Sequence, residues 1–125
     1  MPLRIEDYAL IGDCQTAALV GTDGSIDWLC LPRFDSGACF AALLGGEEHG
    51  FWRIAPASDA YRVTRCYRGE ALVLETEFHT GDGVVRLVDC MPRRSGHASV
   101  VLAPGNPGRV RARSAASSTT RTLRW

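Results

Sequence analysis

"QTAALVGTDGSIDWLCLPRFDS", residues 15–36, sets two apolar runs on either side of Gly21-Thr22-Asp23-Gly24. An Asp-Gly pair suits a tight turn because glycine accepts a positive φ, so the stretch predicts a β-hairpin over residues 16–31. Trp28, Leu29 and Leu31 do not alternate with polar residues, the pattern of a strand covered on both faces, and Trp28 is expected in the core rather than on an exposed platform. Pro32 has no N–H to give to a ladder, so the chain must leave the sheet there. The next three positions, Arg33-Phe34-Asp35, put a guanidinium, an aromatic ring and a carboxylate side by side.

The same grammar recurs downstream. "ALVLETEFHT" (71–80) and "GVVRLVDCM" (83–91) flank a second Gly-Asp-Gly turn, with Leu72, Leu74 and Phe78 on one face and Glu75, Glu77 and His79 on the other. That is a hairpin with one wet face. "GFWRIAP" (50–56) and "AYRVTRCYR" (60–68) read as two further strands across a Pro-Ala-Ser-Asp turn. Ser36 can cap a short helix near 37–44 that stops at Gly45-Gly46. The expected fold class is mainly β: a partial antiparallel β-sandwich with one short helix near 37–44.

The net charge of zero hides a division of the chain. All fourteen acids lie at or before Asp89, where seven arginines leave a net −7, while residues 91–125 hold seven arginines and no acid, a net +7. The segment "PRRSGHASVVLAPGNPGRVRARSAASSTTRTLRW" has one short apolar run and a single aromatic, Trp125, so it adds little core. Residues 1–94 are therefore read as an incomplete sandwich and 95–125 as a disordered Arg/Ser/Thr/Ala-rich tail. No run of about 18 apolar residues offers a membrane span, and the first thirteen residues carry acids where a secretory leader is basic, so a cytoplasmic protein with no membrane partner is expected.

Little in the composition points to chemistry. The five cysteines (Cys14, Cys30, Cys39, Cys66, Cys90) are odd in number and form no Cys-x-x-Cys pair, and they read as buried reduced thiols. His49, His79 and His97 have neither finger nor zincin spacing, so no metal and no cofactor is expected. Glu75 and Glu77 sit two apart on one strand face, near the separation of a catalytic carboxylate pair, yet nothing in the sequence desolvates them, and they read as a solvated face. Glu47-Glu48 reads as a charged loop, and Asp7, Asp13, Asp23 and Asp27 as turn and cap residues.

"IEDYALIGDCQTAALVGTDGSIDWLCLPRFDSGACFAALLGGEEHGFWRIAP" (5–56) followed by "YRVTRCYRGEALVLETEFHTGDGVVRLVDCMPRR" (61–94) resembles the start of the N-terminal β-sandwich of bacterial family-15 glycoside hydrolases, the glucoamylase and trehalase-like enzymes. "DGSIDWLCLPRFDS" is the most specific part of the resemblance. Such a family implies a long cytoplasmic enzyme whose sandwich is linked to a barrel of paired α-helices, and the barrel supplies both catalytic glutamates. No catalytic residue therefore carries over to any position of this chain. It is expected to be a truncated, non-catalytic domain that packs against and supports a missing catalytic barrel, with an α-glucoside as the parent's substrate. Trp28, Pro32, Arg33, Phe34 and Asp35 are the residues expected at the domain interface or beside the substrate. An Arg33–Asp35 pair that merely pins the corner is the alternative. The tail beyond Arg94 departs from the family. Fourteen arginines without a lysine suggest a GC-rich genome, in which a shifted reading frame yields such tails.

Two other classes compete. A free-standing carbohydrate-binding module needs exposed aromatics, for which Trp52, Tyr61 and Tyr67 are the candidates, the two tyrosines sharing one strand face. A basic tail binding nucleic acid would hold phosphates in a salt-dependent way, though its Ser/Ala/Thr filler argues against selection for that role. The missing strands are expected to leave the surface around Leu72, Leu74, Phe78 and Leu87 wet, so that the chain is marginally stable and self-associates.

Overall fold

The computed structural model describes residues 3–31 and 33–91, together with the backbone at 102–103, 110–114 and 120–124. The strands are β1 (Tyr8–Gly12), β2 (Ala17–Gly21), β3 (Ser25–Cys30), β4 (Ala38–Phe40), β5 (Trp52–Pro56), β6 (Arg62–Tyr67), β7 (Leu74–Thr80), β8 (Gly83–Cys90), β9 (Leu102–Ala103), β10 (Val110–Ser114) and β11 (Thr120–Arg124). They form two sheets, ordered β1-β2-β3-β5-β10 with β4 also on β3, and β6-β7-β8-β11-β9. Each described pair is antiparallel except β9 with β11. The chain is a mainly antiparallel β-sandwich.

The opening hairpin forms as its Asp-Gly turn demands. Gly24 takes φ +80°, and its N–H donates to the Gly21 carbonyl at 3.0 Å. The Gly24 carbonyl in turn accepts the Ile54 N–H at 3.1 Å, which ties the turn to β5. Leu19 pairs with Trp28 but Val20 with Ile26, so Asp27 is an extra residue in β3, a β-bulge. The bulge leaves Trp28 half-buried opposite Leu19, whereas the unbroken apolar pattern led to a core position.

Inside the sandwich, Ile11, Ala18, Val20, Ile26, Leu29, Phe40, Trp52 and Ile54 of the first sheet meet Leu74, Phe78 and Leu87 of the second. The alternation in β7 is as expected, with Leu74, Thr76 and Phe78 inward. Leu72 lies two residues before the strand begins and is 48% exposed, so it does not join that face. Leu74, Phe78 and Leu87 are at most 1% exposed rather than wet, because the first sheet covers them.

Polar side chains also stitch the sheets together. Arg65 on β6 sends Nη1 to the Val20 carbonyl (3.0 Å) and Nη2 to the Asp7 carbonyl (2.9 Å). Burial lowers its pKa from the ordinary value, yet a guanidinium stays charged and its fork suits two carbonyls at once. Tyr67 both accepts the Leu10 N–H and donates to the Leu10 carbonyl, each at 3.0 Å.

Other expectations are adjusted. The segment near 37–44 is strand β4 followed by a single 3-10 turn, Ala42–Leu44, because Ala38–Phe40 pairs with the second half of β3 before any helix can propagate. Cys30 is buried as expected, but Cys14 and Cys66 are exposed, one in the β1–β2 turn and one on the outer face of β6. Within the segment read as a disordered tail, β10 pairs with β5 and β11 with β8 through backbone groups, a bonding that composition does not report. The remainder of that segment lies outside the described residues. Among the described residues no helix is long and apolar enough to cross a membrane.

Candidate functional site

Two surfaces compete for a role, and both are built on β3. The first is the corner at residues 31–36. Pro32 lies outside the described residues. Beyond it the Ser36 hydroxyl accepts the Arg33 N–H (3.1 Å), the Ser36 N–H donates to the Arg33 carbonyl (3.1 Å), and the Phe34 N–H donates to the Gln15 carbonyl (3.1 Å). Thr16, buried in the facing turn, donates its hydroxyl to the Cys30 carbonyl, while Asp13 accepts the N–H groups of Gln15 and Thr16, each at 2.9 Å. A hydrogen-bonded backbone thus presents exposed side chains. Arg33 and Asp35 pair at 3.3 Å with their side chains 71% and 74% exposed, and Phe34 is 62% exposed. So exposed a pair contributes about 0–1 kcal/mol, too little to be what holds the corner, since backbone bonds already do. Of the four described among the five expected residues, Trp28, half-buried on β3, is the one that packs into the sheet.

The second surface was not legible as a site. On the outer face of the first sheet, the bulge residue Asp27 accepts the Tyr8 hydroxyl at 2.6 Å. The Ser25 hydroxyl lies 2.6 Å from Asp23 Oδ1 and 3.0 Å from Asp27 Oδ2, and its one hydrogen serves either carboxylate in turn. Asp23 also accepts the Ser25 N–H at 3.0 Å, and Arg53 Nε lies 3.6 Å from Asp23 Oδ2 while donating to the Asp23 carbonyl at 3.3 Å. The 3-10 turns Ala42–Leu44 and Glu47–His49 fold over this face, held by the Ala41 N–H between the carbonyls of His49 and Gly50. A cavity of about 310 Å³ remains between them, walled also by Leu3 and Phe51. Asp7, Asp13 and Asp23 are the turn and cap residues expected, but Asp27 is not: it belongs to this polar cluster. The available sign was an acid inside an otherwise apolar strand, which needs partners to be there.

Burial, and then the hydrogen bond to Asp27, push the Tyr8 phenol well above its ordinary pKa of 10.0. The folded state therefore favours the neutral phenol, and its contribution to stability is fully present below about pH 10 and is lost as pH rises through the folded-state value. Tyr8→Phe is expected to be about 1 kcal/mol less stable than the parent at pH 8, with the gap narrowing at pH 11. Urea unfolding at the two pH values checks this; a gap that stays constant would refute it.

Elsewhere the acids are committed. Glu75 pairs with Arg68, and Glu77 holds Arg86 (Nε 2.9 Å, Nη2 2.5 Å) with His79 at 3.5 Å; both alternate outward on β7, but their partners leave them half-buried rather than on an open solvated face. Among the described residues no three His, Cys, Asp or Glu side chains group as a metal site. The aromatic candidates for a sugar platform are also committed. Trp52 is in the core, Tyr61 packs edge-on against Phe78 (5.2 Å, 89°), and Tyr67 is bound to Leu10. The two tyrosines do share a face, but it is turned toward the first sheet.

The family model described as "Trehalase-like, N-terminal" matches residues 1–111. Among curated proteins, the chain is 40% identical over 92 residues to a trehalase of Thermoplasma volcanium, covering 71% of this chain and 15% of that protein. It is 39% identical over 84 residues to a trehalase of Mycolicibacterium smegmatis (66% of this chain, 12% of that protein). A trehalase of Mycobacterium tuberculosis is 38% identical over 92 residues (68% and 13%). The chain thus spans a small fraction of the length of these relatives. No solved structure matches. A sandwich whose bulged strand β3 carries the "DGSIDWLCLPRFDS" run, matched from residue 1 to residue 111, places the chain in the trehalase-like N-terminal family.

Proposed function

We propose that this chain is the non-catalytic N-terminal sandwich of a cytoplasmic trehalase-like α-glucoside hydrolase of the glucoamylase type, and that it packs against and supports a catalytic helical barrel. The observation that carries the reading is the match to the N-terminal family over most of the chain while only 12–15% of each trehalase is covered. The corner at 33–35 supports it: a backbone fixed by Ser36 and Gln15 displays an aromatic ring and a loosely paired Arg-Asp couple, side chains that gain partners only when another surface arrives. Trp28, half-buried on β3 opposite Leu19, and Pro32, which follows the strand in sequence, belong to the same proposed interface.

The chain alone is expected to hydrolyse neither trehalose nor maltooligosaccharides. Mixed with the part of the Mycolicibacterium smegmatis trehalase that follows the matched region, it is expected to restore trehalose hydrolysis, and Phe34→Ala with Arg33→Ala to weaken that rescue about tenfold. Turnover by the isolated chain that Glu75→Gln abolishes, or rescue indifferent to the corner, would overturn the reading. A nucleic-acid-binding tail is not carried further, since the side chains of 95–125 lie outside the described residues.

A further inference from the structure

The cavity over the bulge has a chemistry of its own, independent of the barrel-supporting role. Asp23 is spent on Ser25 and Arg53, but Asp27 uses only Oδ2, for Tyr8 and Ser25, and its Oδ1 accepts no hydrogen bond from the described residues. Arg53 likewise commits Nε and leaves both Nη groups without a partner among them. An uncommitted acceptor and uncommitted donors therefore line one cavity of about 310 Å³, with the Glu47 carboxylate at its rim and Phe51 in its wall.

Charge and hydrogen bonding narrow what can enter. Three carboxylates, Asp23, Asp27 and Glu47, surround one guanidinium, so a phosphate or carboxylate is repelled, and an amine, though drawn by the negative lining, has no acceptor for the Arg53 Nη donors. A neutral ligand whose adjacent hydroxyls both donate and accept satisfies Asp27 and Arg53 together. One hydroxyl of a vicinal diol gives its proton to Asp27 Oδ1, and its neighbour accepts from an Arg53 Nη. Phe51 and Leu3 offer an apolar wall to the C–H face of such a ring. The volume lies at the small end of the range for ligand pockets, about 300–1,000 Å³, which is room for a single ring.

We infer that this cavity binds one neutral polyhydroxylated ring, a pyranose, held by Asp27 and Arg53. The site is separate from the 33–35 corner and from the aromatic platform that a carbohydrate-binding module would use. Tyr8 supports it by keeping Asp27 oriented, its phenol remaining a donor at every physiological pH.

The test is a titration of the isotope-labelled 125-residue chain with methyl α-D-glucopyranoside, followed by backbone amide shifts. Saturable shifts are expected at Asp27, Gly45, Gly46 and Arg53. Arg53→Met and Asp27→Asn are each expected to weaken binding about tenfold or more, and Glu47→Gln, on the exposed rim, about threefold or less. The same spectra report folding, and if Asp27→Asn does not fold, Arg53→Met and Phe51→Ala carry the test. No saturable shift with the sugar would overturn the inference, as would shifts at these amides that methylammonium or inorganic phosphate evokes more strongly. Sugar shifts that map to the 33–35 corner would overturn it too. Failure of the barrel to gain activity from this chain would leave the titration unchanged, so the two readings fail separately.

Discussion

Gly24→Ala is expected to cost about 4 kcal/mol or more, a large share of the roughly 5–15 kcal/mol that holds a domain folded, whereas Gly37→Ala is expected to change stability by less than about 0.5 kcal/mol. Gly24 sits at φ +80°, where an L side chain is strained, and a Cβ there would lie 2.0 Å from the Ile54 carbonyl oxygen. That oxygen is backbone and cannot rotate away. Relief requires β5 to move off β3, which breaks the Ile54 N–H bond to Gly24 and disturbs the pairs Ser25–Arg53 and Ile26–Trp52. The Phe78 ring, 3.2 Å from the same Cβ, closes the other way out. A Cβ on Gly37 meets nothing within 4 Å. Urea unfolding followed by tryptophan fluorescence compares the two; similar midpoints would show that the turn is not packed against β5.

Phe78→Ala is expected to cost about 3–5 kcal/mol, with Phe78→Leu below about 1.5 and Leu72→Ala within about 0.5. Phe78 is 1% exposed, at the centre of the interface between the sheets, with Tyr61 against its ring and Gly24 at its tip. Its removal opens a cavity that two stiff sheets cannot collapse. Leu72 has the same parity in the sequence, yet it lies outside β7 and is largely wet. Thermal and urea midpoints for the three variants check the order. A Leu72→Ala loss as large as that of Phe78→Ala would show β7 starting earlier, with Leu72 turned inward.

Leu72 and Phe78 also show what the sequence discloses and what it withholds. A period of two separates the faces of β7, and it does so correctly for every residue from Leu74 to His79. It cannot say where the ladder begins, because that depends on the partner: β6 and β8 both reach Leu74 and neither passes it. The Asp-Gly turn was legible since it needs only its own residues. The bulge at Asp27 was not, being a mismatch between two strands, and with it went the burial of Trp28 and the cluster of Tyr8, Asp27 and Arg53, which come from three different strands. Of the corner, sequence gave the turn and its exposed residues; the anchor on Gln15, eighteen or more positions away, is a product of folding. Strands β9 to β11 stayed hidden for another reason: ladder bonds use peptide groups, which every residue has, so an arginine-rich segment carries no mark of them.

The hydrogen bonds of Tyr67 to Leu10 bear on how the domain avoids its own kind. β1 is an edge strand of five residues, and an intruding strand would have to dock on the outward-pointing N–H and C=O at its middle. Leu10 is that middle residue, and one phenol takes both of its groups. The edge is left with no free central pair to offer as a template, and what remains on either side is too short to nucleate a ladder. A single side chain from the opposite sheet thus serves as a stopper, sealing one rim of the sandwich against fibre-like growth.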